Sequence, residues 1–185
     1  MTSSTNELTD QDLVSASLHG DRLAFGELVN RYRDGAVAVV YRMTADQQLA
    51  EEAAQEAFIR AWQRLYSYKP QLSFRNWVFS IAVHGALDML RGTPQVVDID
   101  QLPLEAPAGR PEVELEAEER RTQVQRAVLA LPPACRAVLV LREYEGLSYQ
   151  EVAAALDIPV GTVMSRLNYA RSQLRRALMP FLETL

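Results

Sequence analysis

Cysteine occurs once in this 185-residue chain, at Cys135, which excludes an internal disulfide. Histidine occurs twice, as His19 and His84, with no carboxylate cluster or glycine-rich phosphate loop beside either. The sequence therefore offers neither metal-ligand spacing nor a catalytic constellation, and no enzyme, metal or cofactor is expected. No stretch approaches the ~18 consecutive apolar residues of a membrane span. The opening MTSSTNELTDQD is polar and acidic rather than a basic segment followed by an apolar one, so neither export nor membrane insertion is expected. With one isolated thiol, a reducing cytoplasm is the compartment that fits. Lysine is almost missing too: Lys69 stands alone among arginines.

What is present is distributed unevenly. The net charge of −5 divides into −2 over residues 1–92, −7 over 93–119 and +4 over 120–185. An acidic middle joined to a basic end points to a polyanionic partner for one part only. Outside the middle, apolar residues recur at helical spacing rather than alternating, which makes the fold class all-α. Thr9 or Asp10 is the expected N-cap of a first helix to Leu18, stopped by Gly20. A second helix is expected from Asp21, a third over Gln47 to Leu65, and a fourth from Ser73 to Arg91 after the Pro70 break. The stretch GTPQVVDIDQLPLEAPAGR has no sustained period and reads as a linker. The expected division is thus a helical domain over 1–91, a linker over 92–110 and a second helical domain over 111–185.

The second domain should hold a polar helix from Pro111 to Leu131 and another from Pro133 to Glu145, closed by Gly146. Ser148 and Glu151 have capping-box spacing. A helix to Leu156, a turn from Asp157 to Val160 and a further helix make a helix-turn-helix. On that last helix, Val163, Leu167, Ala170 and Leu174 fall within about 40° of one another and predict a buried stripe. Ser165, Asn168, Tyr169 and Ser172 lie opposite, Arg166 and Arg171 on the flanks, and Arg175 and Arg176 beyond. A solvated basic face would have the same composition. The capped preceding helix and the turn length favour a recognition helix, with short polar groups at base edges and arginines on phosphates.

Two separated stretches carry a family resemblance. LPPACRAVLVLREYEGLSYQEVAAALDIPVGTVMSRLNYARSQLRRAL resembles region 4 of the extracytoplasmic-function sigma factors of the sigma-70 family. AEEAAQEAFIRAWQRL followed by FRNWVFSIAVHGALDMLR is similar to region 2. The resemblance covers nearly the whole chain and implies two small helical domains on a flexible acidic linker. It also implies partners: core RNA polymerase through its clamp helices and flap, promoter DNA, and an anti-sigma factor. The implied function is promoter-specific initiation. A sigma-like mimic that sequesters an anti-sigma factor without reading DNA is the alternative.

Residue roles follow from the same resemblance. Glu52, Gln55, Glu56 and Phe58 would dock on the polymerase, Glu52 standing where aspartate is usual. Tyr68, Lys69, Gln71 and Phe74 of the specificity loop, with Arg75, Asn76, Phe79, His84 and Arg91 of the next helix, would meet the melted minus-10 strand. Thr162, Met164, Ser165, Arg166, Asn168, Tyr169, Arg171, Ser172 and Arg175 would meet the minus-35 duplex. Ser80 and Val83 stand where basic residues are common in the family, His84 where asparagine is common, and Met164 at a position often basic. An altered promoter preference is expected from these departures.

Overall fold

A computed structural model of the chain describes residues 8–70, 72–92 and 112–182. Among them every regular element is helical: α1 (Asp10–Leu18), α2 (Arg22–Thr44), α3 (Gln47–Gln63), α4 (Phe74–Gly92), α5 (Glu112–Leu129), α6 (Pro133–Leu139), α7 (Tyr149–Leu156) and α8 (Val160–Leu182). Local chemistry sets the starts. Thr9 and Asp12 form a capping box ahead of α1, the Asp21 carboxylate accepts from the Leu23 and Ala24 amides, and Asp46 accepts from the Leu49 amide. Two expected ends shift. The third helix stops at Gln63 and passes into a 3-10 turn, Leu65–Ser67. The helix from Pro133 does not run evenly to Glu145: after Leu139 it widens into a π turn, Val140–Tyr144, with the Glu145 amide donating to the Val140 carbonyl at 3.2 Å.

The helix-turn-helix forms as the spacing predicts. Ser148 and Glu151 bond reciprocally to each other's backbone amides, at 2.8 and 3.2 Å. Asp157 ends α7 in the left-handed region at φ 52°, so the chain turns without a glycine; a short acidic side chain is among the few that tolerate this.

In the first half α2, α3 and α4 pack on one another, with α1 against α2. A close approach lies at Gly35 of α2, where a Cβ would sit 2.6 Å from the Phe79 ring of α4. The missing side chain is what lets the tip of the buried ring reach α2. In the second half α6 and α7 pack under α8. The two halves also meet: α4 contacts α6 and α7, and α2 contacts α5. Buried side chains from Leu13 to Ala170 form one continuous apolar cluster across that seam.

Arg136, fully buried, sits in the seam. Its guanidinium donates to the Leu129 and Leu131 carbonyls at the end of α5, and to the Met43 carbonyl near the end of α2. One cation thus satisfies carbonyls from both halves that their own helices leave unpaired. Burial pulls its pKa down to about 10.

Candidate nucleic-acid and polymerase interfaces

Helix α8 divides as the angular reading requires. Val163, Leu167 and Ala170 are buried and Leu174 packs against the core. Met164, Ser165, Asn168, Tyr169, Ser172 and Arg175 are exposed, and Thr162 and Arg166 half-buried. Ser165 donates its hydroxyl to the Thr162 carbonyl at 3.0 Å, which leaves its lone pairs outward. Arg171 is held by Glu143 of the π turn at 2.6 Å, and that bond raises its pKa. Since both partners of this pair remain substantially exposed, a phosphate can compete for the guanidinium. Cys135 is half-buried and burial pushes its thiol up, against an opposing influence from Arg166. It is a weak nucleophile there.

Helix α4 and the loop before it are arranged differently. Tyr68 donates to the Leu72 carbonyl at 2.8 Å and packs its ring against Phe74 and Trp77; burial raises its pKa. Lys69 is exposed, while Gln71 lies outside the described residues. The sequence reading puts Phe79 on the DNA-facing side, and the structure corrects it: Phe79 is 1% exposed, beneath the Arg75 guanidinium at 4.6 Å. Phe74 is buried too, a hub among Phe25, Tyr32, Tyr68 and Trp77 rather than a loop wall. Of the departures from the family pattern, Ser80 and Val83 are also buried. Two residues where charge is common in the family here belong to the packed face. His84 is exposed, with Nδ1 2.8 Å from the Ser80 carbonyl oxygen, and Arg91 is exposed beside Asp88.

The two polar residues near the start of α4 reach across the seam. Asn76, 8% exposed, donates from Nδ2 to Glu151 at 3.1 Å. Arg75 donates to the Glu145 carboxylate and, at 3.2 Å, to the Glu145 carbonyl. Arg42 of α2 takes the other oxygen of the same carboxylate at 3.1 Å. Glu145, Arg42 and Arg136 were not among the sequence candidates. The one available signal was Arg136 itself, a charge interrupting the apolar stripe of PACRAVLVL.

Helix α3 carries a third surface. Glu52, Gln55 and Glu56 are exposed on one face; Gln48 donates to Glu52 at 3.0 Å and Arg60 to Glu56 at 2.8 Å. Beside them a groove of about 730 Å³ runs between α2 and α3, with Phe25, Val29, Phe58 and Trp62 in its lining. Phe58 is 5% exposed, so it underlies this face rather than projecting from it. An apolar floor with a carboxylate and amide rim suits a helix bearing arginines.

Two family descriptions match the chain: Sigma-70 region 2 over residues 28–93 and Sigma-70, region 4 over residues 121–174. The ECF RNA polymerase sigma-E factor of Escherichia coli is 35% identical over 189 residues, covering 96% of this chain and 98% of its own length. The chain belongs to the extracytoplasmic-function sigma factors. Among solved structures, that of CnrH in complex with the cytosolic domain of CnrY superposes with a TM-score of 0.69 at 24% identity, over 92% of this chain and 97% of the other. The sigma factor RpoE in complex with the anti-sigma factor NepR from Bartonella quintana gives a TM-score of 0.62 at 20% identity, over 84% and 96%. Both likenesses concern the fold. The sigma factor described here is a transcription regulator, with α2, α3 and α4 in region 2 and α6, α7 and most of α8 in region 4. Among its described residues no helix is long and apolar enough to cross a membrane.

Proposed function

We propose that this sigma factor brings core RNA polymerase to promoters by dividing the work among three surfaces. The α3 face of Glu52, Gln55 and Glu56 above the Phe58 groove docks on the polymerase clamp helices, while region 4 meets the flap. The loop from Tyr68 with α4 (half-buried Arg75, buried Asn76, exposed His84 and Arg91) reads the melted minus-10 strand. The outward face of α8 reads the minus-35 duplex: Met164, Ser165, Asn168 and Tyr169 toward base edges, Arg166, Arg171 and Arg175 toward phosphates. Residues 92–110 tether a domain over 1–91 to one over 111–185. The protein works in the cytoplasm, and an anti-sigma factor restrains it by covering surfaces of both regions.

The observation that carries this reading is the division of α8. Val163, Leu167 and Ala170 of its apolar stripe are buried and Leu174 is partly so, while Ser165, Asn168, Tyr169, Arg171 and Arg175 stand outward on the second helix of a helix-turn-helix. Run-off transcription with bacterial core polymerase on a promoter library tests it. Wild-type protein is expected to yield discrete transcripts, and Arg166→Ala with Arg171→Ala to lose them. Absence of any promoter-specific transcript from the wild type would instead point to a mimic that binds an anti-sigma factor only.

A further inference from the structure

A second groove has the opposite character to the one beside α3. It holds about 440 Å³ where α2, α5 and the π turn meet, between Tyr41 and Arg42 of α2, Arg121, Val124 and Val128 of α5, and Tyr144 of the turn. With Arg120 its lining includes three arginines, and among the described residues it includes no carboxylate. Val128 is buried, but Val124 is 36% and Tyr144 43% exposed, so apolar surface is left open to water there. Arg42 stands 4.8 Å over the Tyr144 ring, and its carboxylate partner, Glu145, is shared with Arg75. Arg121 is exposed and has no ion-pair partner among the described residues. Open apolar side chains favour aliphatic groups, and guanidinium groups short of carboxylates favour acids. The chemistry that fits is an acidic peptide with aliphatic residues between its charges.

Such a peptide lies in the chain itself. Residues 96–105, VVDIDQLPLE, carry Asp98, Asp100 and Glu105 among five aliphatic residues and no basic one. From Val97 to Asp100 apolar and acidic residues alternate, the order that sets aliphatic groups on one side of an extended strand and carboxylates on the other. The tether is long enough. Asp100 stands 12 residues before Glu112, where α5 starts, an extended reach of ~40 Å. Arg121 lies nine residues further on, about 14 Å along the helix axis. A ligand tethered so closely acts at an effective concentration on the order of millimolar, so a weak fit suffices.

We propose that the groove between α2 and α5 is a binding site for an acidic, aliphatic peptide, and that residues 96–105 of the same chain occupy it. The linker then does more than join the halves, because it rests on one helix of each. Arg42 is half-buried and Arg121 exposed, so salt screens the attraction. Nothing in this depends on which helices read DNA.

The test uses the full chain and a fluorescein-labelled synthetic peptide of residues 94–107, with binding read by anisotropy. One variant disables the tethered segment through Val97→Ser, Asp98→Asn, Ile99→Ser and Asp100→Asn. If the segment fills the groove about nine times in ten, the disabled chain binds the peptide about tenfold more tightly than wild type. Raising the salt to about 0.5 M should weaken that binding. Arg121→Glu and, separately, Val124→Ser in the disabled chain are each expected to remove most of the gain. Both positions are open to solvent, so loss of folding does not confuse the result. A peptide of the same composition in scrambled order should bind more weakly.

No binding by the disabled chain, or binding that neither groove variant lowers, would overturn the site. Equal binding of the scrambled peptide would reduce it to unspecific charge attraction and overturn it as well. Equal binding by wild type and the disabled chain would leave the groove to an acidic partner and overturn its occupation by residues 96–105. Sedimentation of wild type is expected to show a monomer; a dimer that Arg121→Glu dissociates would put the segment on a second copy and overturn the assignment within one chain.

Discussion

Helices α4 and α8 are both expected to read DNA, yet they present themselves in opposite ways. On α8 the polar residues Ser165, Asn168 and Tyr169 face outward. On α4, Asn76 and Ser80 are buried, and Arg75 is tied to Glu145 of the other half. Under the proposed roles, the duplex-reading surface is complete within region 4, whereas the polar start of α4 is held by carboxylates of the other half. This matches the order of events that initiation needs: a duplex is available from the outset, a separated strand only later.

The largest expected effect comes from Arg136→Met, which removes the tie between halves and leaves three carbonyls without their donor. At roughly 1–3 kcal/mol for a buried polar group left unpaired, with partial rescue by water, a total loss of about 3 kcal/mol is expected in urea unfolding. A loss near zero would mean that the apolar seam alone joins the halves. Gly35→Ala comes next. The added methyl must displace the buried Phe79 ring, at an overpacking cost of about 1–3 kcal/mol, and Phe79→Leu in the same chain should restore part of it. Because the clash lies within region 2, binding of double-stranded promoter DNA by α8 should be preserved.

On the α8 side of the comparison, Arg166→Ala and Arg171→Ala should each flatten the salt dependence of duplex binding. A log–log slope smaller by about 0.9 is expected for each phosphate that is no longer neutralised. Glu143→Gln should do the reverse in a small way, because it releases Arg171 from its bond. If the slope is unchanged in both arginine variants, α8 does not meet phosphates through its flanks.

The smallest effect concerns pH. Bonds from Ser148, the backbone amide first, hold the Glu151 carboxyl below its ordinary 4.5. The folded state thus binds this proton more weakly than the unfolded one. The stabilisation is complete above about pH 4.5 and is lost as pH falls through the lower folded value. Ser148→Ala should cost about 1 kcal/mol near neutrality and reduce this acid sensitivity. Denaturant midpoints measured from pH 7 down to pH 3 would show it.

Much of the chain was legible because its signals are local. The caps at Thr9, Asp21 and Ser148, and the angular stripe of α8, depend on residues three or four apart, whose geometry a helix fixes. The site was less legible where both faces of a helix are covered. Phe79 lies in the apolar run WVFSIAV, and nothing local says that Gly35, far away on α2, opens a place for its ring. The π turn at Val140 likewise has no marker in the apolar run VLVL. For the exposed face of α3, spacing put Glu52, Gln55 and Glu56 together, but it could not tell that Phe58 lies beneath that face.

An all-helical protein in two family-matched halves, the position of the helix-turn-helix and the outward face of α8 were all written in the residue order, since each follows from periodicity and short-range hydrogen bonding. What α4 offers to a partner was settled by packing. Whether Arg75 and Asn76 are free or held depends on carboxylates about 70 residues away in the chain. Such pairing is set by the meeting of two surfaces, and no local pattern encodes it.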